Sequence, residues 1–279
     1  MIWIFVTSST TTGKILKPFC LQQELPSALK RVTFHHHQKL PRTQNMDTEE
    51  LYPCPCCGYK TLNAKPPGTY LICPICFWSD DSETIDSYGF SWVGSNQVSL
   101  RQAQRNYIAF GACEQEWLDI VRSTTVLDVR DSNWQTLDTL EENTRLALIE
   151  QITAAFDGVK RSDGITLHEA RALDDYADAQ KARKLDSESQ WQDIPDEWIE
   201  YFSDVFPFFD AKGFRYYIPA YIIWCLKHYK TSNSDTLDNT IYAIKNRGGY
   251  YHPHLELLNT TQLQAIKAFL QFMNNGSSL

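Results

Sequence analysis

The pairs Cys54-Pro55-Cys56-Cys57 and Cys73-Pro74-Ile75-Cys76 stand fifteen residues apart, a C-x2-C-x15-C-x2-C spacing. Thiolates at i and i+3 across a tight turn reach two corners of a tetrahedron, and two such turns close it. We therefore expect Cys54, Cys57, Cys73 and Cys76 to hold a structural Zn2+. A segment of about forty residues buries too little apolar surface to fold alone, and a structural zinc supplies what is missing, on the order of 10–16 kcal/mol. Pro55 and Pro74 pre-set each turn, and Gly58 allows a positive φ just past the second ligand. Four thiolates leave no open position for water, which favours structural over catalytic zinc. The same turns also suit a rubredoxin-like iron centre for electron transfer. Cys56, between two ligands, is a candidate reactive thiol; its other reading is a small packed side chain.

Five of the eight cysteines crowd into 54–76, while Cys20, Cys113 and Cys225 are scattered without evident pairing. That distribution argues against a disulfide framework and for a reducing cytoplasm. The apolar stretch Ile2–Val6 is too short for a signal peptide, and the longest apolar run, Tyr216 to Leu226, is too short for a bilayer. We expect no membrane association.

Charge divides the chain. Residues 1–45 carry six Lys/Arg against one Glu, residues 46–113 carry four against seven Asp/Glu, and residues 114–279 carry sixteen against twenty-six. The last two parts would repel a phosphate backbone. Tyr52, Tyr59, Tyr70, Phe77 and Trp78 could stack on bases, but Lys60, Lys65, Arg101 and Arg105 are few and Asp80, Asp81, Glu83 and Asp86 oppose them. Nucleic acid is therefore disfavoured as a partner, and those aromatics read as the ribbon's small core.

Residues 1–45 have no helical or strand period and read as a disordered basic head, with Met46 an alternative start; His35-His36-His37 cannot face one ion from a regular element. Residues 46–113 read as a ribbon of short strands. Its hairpin turn lies at Pro66-Pro67-Gly68, Thr69–Ile72 is β-prone, and a covering helix runs from Ser99-Leu100-Arg101-Gln102 to Gly111. Residues 114–279 read as an all-α domain of five to seven helices. Its signals are a stripe of Leu146, Ile149, Ile152, Ala155 and Phe156, and a capping box at Thr166 and Glu169 opening a helix through Ala177 and on toward Leu185. Pro195 fits the first turn of a helix that runs Trp198, Ile199, Phe202, Phe206; Pro219 opens an apolar helix, Ser234-Asp235 starts another, and Asn259 with Gln262 caps the last. The fold class is thus α+β: a zinc-ribbon-like β module with a covering helix, then an all-α domain.

Tyr52–Leu62, Pro67–Asp81 and Val98–Gly111 resemble the bacterial cysteine-rich CPCC family, which implies a zinc-binding module of uncharacterised function. Leu173–Tyr176, Trp191–Glu197 and Gly213–Tyr221 are similar to a bacterial domain of unknown function over about 150–275, which implies no catalytic residues. The chain has no H-E-x-x-H, nucleophile elbow or P-loop. No carboxylate or further ligand at diagnostic spacing joins His228, His252 and His254, and Asp193 and Asp196 suit the flanks of a helix N-terminus. The expected activity is contact with another protein, as an adaptor or regulatory module, with no expectation for the oligomeric state. Two alternatives are a nucleic-acid-associated ribbon and an enzyme whose groove would be formed by Asp174, Asp175, Trp191, Arg215 and Tyr217.

Overall fold

The computed structural model describes residues 50–81, 94–245 and 255–276. The basic head, Glu83, Asp86 and His252-Pro253-His254 lie outside them. Thr48–Leu279 forms one unit with two hydrophobic clusters, one around the cysteines and one among the later helices.

The ribbon starts with β1 (Tyr52–Pro53), which pairs antiparallel with β2 (Lys60–Leu62). The β-prone stretch 69–72 forms only an isolated bridge, Ile72 to Ser79. Tyr70 sits at φ 58, a left-handed conformation that interrupts a strand. Helix α1 (Leu100–Phe110) is capped by Ser99, whose side chain accepts from the Gln102 N–H, and it ends at Gly111 with φ 92. Leu100 and Ala103 on its inner face pack among the cysteines, so α1 does cover the ribbon.

From residue 114 on, seven α-helices follow among the described residues: α2 (Leu137–Ala155), α3 (Leu167–Asp174), α4 (Ala179–Arg183), α5 (Asp196–Tyr201), α6 (Ala211–His228), α7 (Thr236–Lys245) and α8 (Thr260–Gly276). Helix α6 is buried along most of its length and packs against α2, α5 and α7, while α2 also packs against α8. The buried stripe of α2 and its C-cap is Leu148, Ile152 and Phe156, at i, i+4 and i+8, whereas Leu146 is exposed.

Three helix boundaries differ from the sequence reading. The Thr166–Glu169 capping box is present, but α3 stops at Asp174. Tyr176 turns left-handed at φ 55 and the Ala177 N–H reaches back to the Ala172 carbonyl, so α4 begins anew behind Asp178. Pro195 is the N-cap of α5, which ends at Tyr201, before Phe206. Pro219 lies inside α6 rather than opening it. The Asp210 carboxylate starts that helix by accepting from the Gly213 N–H (2.8 Å) and also from the Ile165 N–H (2.9 Å). Gly213 permits this contact, because a Cβ there would stand 2.4 Å from the Ile165 carbonyl oxygen. At the end of the chain, Asn259 Oδ1 accepts from the Gln262 N–H and Gln262 Oε1 from the Asn259 N–H, the expected reciprocal cap.

Candidate metal centre

The two cysteine turns are built alike. The Gly58 N–H donates to the Cys54 carbonyl and the Phe77 N–H to the Cys73 carbonyl, each at 2.8 Å. The Cys54 N–H donates to the Tyr59 carbonyl and the Cys73 N–H to the Trp78 carbonyl. The residue after each second cysteine is left-handed: Gly58 at φ 77 and Phe77 at φ 65. Phe77 adopts this less favourable conformation while its ring stacks on Trp117, with centroids 4.2 Å apart.

These turns bring the Sγ atoms of Cys54, Cys57, Cys73 and Cys76 within 4.8 Å of one another, all in buried residues. Cys54 to Cys76 and Cys57 to Cys73 are 3.6 Å. A tetrahedral ion with bonds of about 2.3 Å to sulfur sets its ligands about 3.8 Å apart, so the spacing fits a metal; a disulfide needs about 2.05 Å. Burial pushes the Cys54 and Cys76 thiols well up from the ordinary range. Cys73 moves far down, because the Cys54 thiol above all, then Cys57 and Cys76, and also the Thr61 hydroxyl (3.2 Å), donate to its sulfur. Burial thus opposes more than one bare thiolate in the cluster, and a bound dication would remove that opposition.

Carbonyls of both turns are fastened by residues that follow the ribbon. Pro55 accepts from Gln104 Nε2 (3.0 Å) and Trp134 Nε1 (2.9 Å), and Cys57 from Arg130 Nε (2.9 Å). The Gly58 carbonyl accepts from the Asp131 N–H, Pro74 from the Arg122 N–H, and Cys76 from the Cys113 N–H. The Arg130 guanidinium stacks on Trp134 at 4.4 Å and brings positive charge to the first turn. Gln104, Arg130 and Trp134 were missed by sequence reasoning, since a side chain bonding one distant carbonyl leaves no periodic signal.

Trp134 also seals the back of Gly58, where an added Cβ would come within 2.6 Å of the indole. Gly58→Ala combines that clash with the left-handed φ, and should lower stability by about 2–4 kcal/mol, read as the shift in urea midpoint of the metal-loaded protein. A change below about 0.5 kcal/mol would show that the turn tolerates a side chain.

Cys56 is fully buried, and burial raises its pKa, opposite to the direction that activates a thiol. Of the proposed groove residues, Trp191 and Tyr217 are both in the helical core. The Trp191 indole donates to the Phe156 carbonyl, and Tyr217 bonds Arg161 and Glu188. Asp174 pairs with Arg171 at the end of α3, Asp175 is exposed as its C-cap, and Arg215 is half-buried in α6. Trp191, Tyr217 and Asp174 therefore each bond a residue outside the set. His228 faces Asp196 at 3.4 Å.

Residues 52–127 match the family model described as cysteine-rich CPCC, and residues 144–279 match that of a family of unknown function (DUF6714). No curated protein and no solved structure matches the chain.

Proposed function

We propose that Cys54, Cys57, Cys73 and Cys76 hold one structural Zn2+, and that the protein acts in the cytoplasm through contact with another protein rather than on a substrate. The observation that carries this reading is closure: four sulfurs, each in a fully buried residue, leave no ligand position facing solvent. When bound, the zinc supplies charge neutralisation and a cross-link between the two turns, and the protein's own groups orient the sulfurs through the carbonyl bonds above.

Two observations favour a protein as the partner. Arg101 and Arg105, two of the ribbon's few cations, are paired with Asp138, and Arg101 also with Glu141, leaving less charge for phosphates. The loop after the ribbon presents Val126 and Leu127 to solvent, 100% and 85% exposed. That loop is held in shape: Arg122 grips both oxygens of Asp128, and Asp128 Oδ2 accepts from the Thr125 N–H and hydroxyl. A fixed apolar tip suits docking against a protein surface. Among the described residues no helix is long and apolar enough to cross a membrane.

Cobalt substitution tests the closed site. The Co2+-loaded protein should show tetrahedral thiolate bands that excess imidazole or cyanide leaves unchanged. A shift on adding either ligand would reveal an open position and contradict a structural role, and salt-sensitive binding of a single-stranded oligonucleotide would contradict the protein-contact reading.

A further inference from the structure

The groove between the end of α7 and the outer face of α8 encloses about 370 Å³. Ile244, Leu255, Leu263 and Leu270 form its apolar walls, and its charged groups among the described residues are Lys245 and Lys267. This is unusual for its surroundings, since residues 114–279 carry twenty-six acids against sixteen bases. In the same region Arg145, Arg161, Arg171, Arg183, Lys212, Lys227 and Lys230 stand in ion pairs, while Arg130, Lys160, Lys181, Lys184 and Arg215 make none among the described residues; what sets the groove apart is that its charged lining there is basic alone. Lys245 instead donates to the amide oxygen of Asn274 (3.0 Å), which leaves its charge uncompensated, and Lys267 makes no ion pair among the described residues. Leu263 is 43% exposed on the groove wall, a hydrocarbon surface left open to water.

An apolar trough of this volume, whose charged lining among the described residues is lysine alone, is complementary to a ligand with a hydrocarbon body and one negative end. We propose that the α7–α8 groove binds a small apolar carboxylate, its hydrocarbon against Ile244, Leu255, Leu263 and Leu270 and its carboxylate at Lys267. The site is separate from the cysteine cluster and independent of any metal there. A cation of the same chain length would bury the same hydrocarbon but meet two like charges, so charge sign discriminates the proposal from simple greasiness.

The test uses the full-length protein with decanoate below its micellar concentration, followed by titration calorimetry, and decyltrimethylammonium as the charge-reversed control. Decanoate should bind at one saturable site and the ammonium compound should not. Lys267→Glu should weaken decanoate by about tenfold or more while Lys267→Arg retains it. Leu263→Asp, at an exposed position, should abolish binding with the helical circular dichroism unchanged. Absence of saturable decanoate binding, equal binding of the cation, or indifference to Lys267→Glu would each overturn the assignment.

Discussion

Cys57→Ser should leave the ribbon unable to fold at neutral pH, with α1 and the loops that bond the cysteine turns losing hydrogen-exchange protection. The ribbon's own contribution is small: two strands of two and three residues, one isolated bridge between Ile72 and Ser79, and a cluster that itself consists largely of cysteines. A two-stranded element of this size is marginal in water, so the apparent free energy of a structural zinc, about 10–16 kcal/mol, exceeds anything its apolar contacts provide. Serine lacks a thiolate, and the remaining three sulfurs would hold the ion more weakly in a partly opened site. The effect should also extend beyond the ribbon. Arg101 on α1 bonds Asp138 (2.5 Å) and Glu141 (2.9 Å) on α2, and Glu141 also pairs with Lys230 (2.5 Å) and bonds Tyr229 just past α6. Loss of α1 would therefore leave Glu141 with one fewer cation at the margin of the helical core. Hydrogen exchange by mass spectrometry would read both effects; full protection of residues 50–81 in Cys57→Ser would contradict the role given to the metal.

The second large effect is expected at Arg161. Its guanidinium donates to Glu188 Oε1 (2.5 Å), to the Tyr217 hydroxyl (2.9 Å) and to the Asp186 carbonyl (3.2 Å), and Tyr217 donates in turn to Glu188 (2.7 Å). The side chains of Arg161 and Glu188 are only 16% and 5% exposed. Arg161→Met keeps most of the volume but strands a buried carboxylate, and should cost about 3–5 kcal/mol, since breaking one side of a buried ion pair leaves the other charge uncompensated. The double variant Arg161→Met, Glu188→Leu removes both charges and should recover much of that loss. Urea unfolding followed by tryptophan fluorescence gives both numbers, and the coupling between them isolates the pair. Two additive, small effects would show that water already solvates Glu188. The Tyr217 hydroxyl is pushed well up, first by its own burial and then by the neighbouring Glu188 carboxylate.

The contrast between these two sites shows what the chain reveals before it is folded. The metal centre is legible because its chemistry is local: each turn supplies two ligands within four residues, and only the pairing of the two turns is long-range. The helix starts were legible for the same reason. Ser99, Thr166 with Glu169, and Asn259 with Gln262 each satisfy backbone N–H groups within three residues of themselves. The Arg161–Glu188–Tyr217 cluster joins residues 27 to 56 positions apart, and no local pattern marks any of them. Gln104 and Trp134 are of the same kind: they converge on the Pro55 carbonyl from 49 and 79 positions away. Pro219 misled because proline more often opens a helix than sits within one. Here α6 is buried against α2, α5 and α7, and that packing outweighs the lost hydrogen bond. Of the groove residues, Trp191 and Tyr217 lie in the helical cluster, the first bonded to the Phe156 carbonyl and the second to Glu188.

The ribbon's capacity for a metal rests on four cysteines, so the most direct measurement is the metal content and visible spectrum of protein purified without added metal. The account predicts one zinc per chain, no colour above the protein absorbance, and release of that zinc together with loss of ribbon structure on prolonged chelation. Stoichiometric iron with thiolate charge-transfer bands would contradict it in favour of electron transfer, and a metal-free, folded ribbon would remove its central claim.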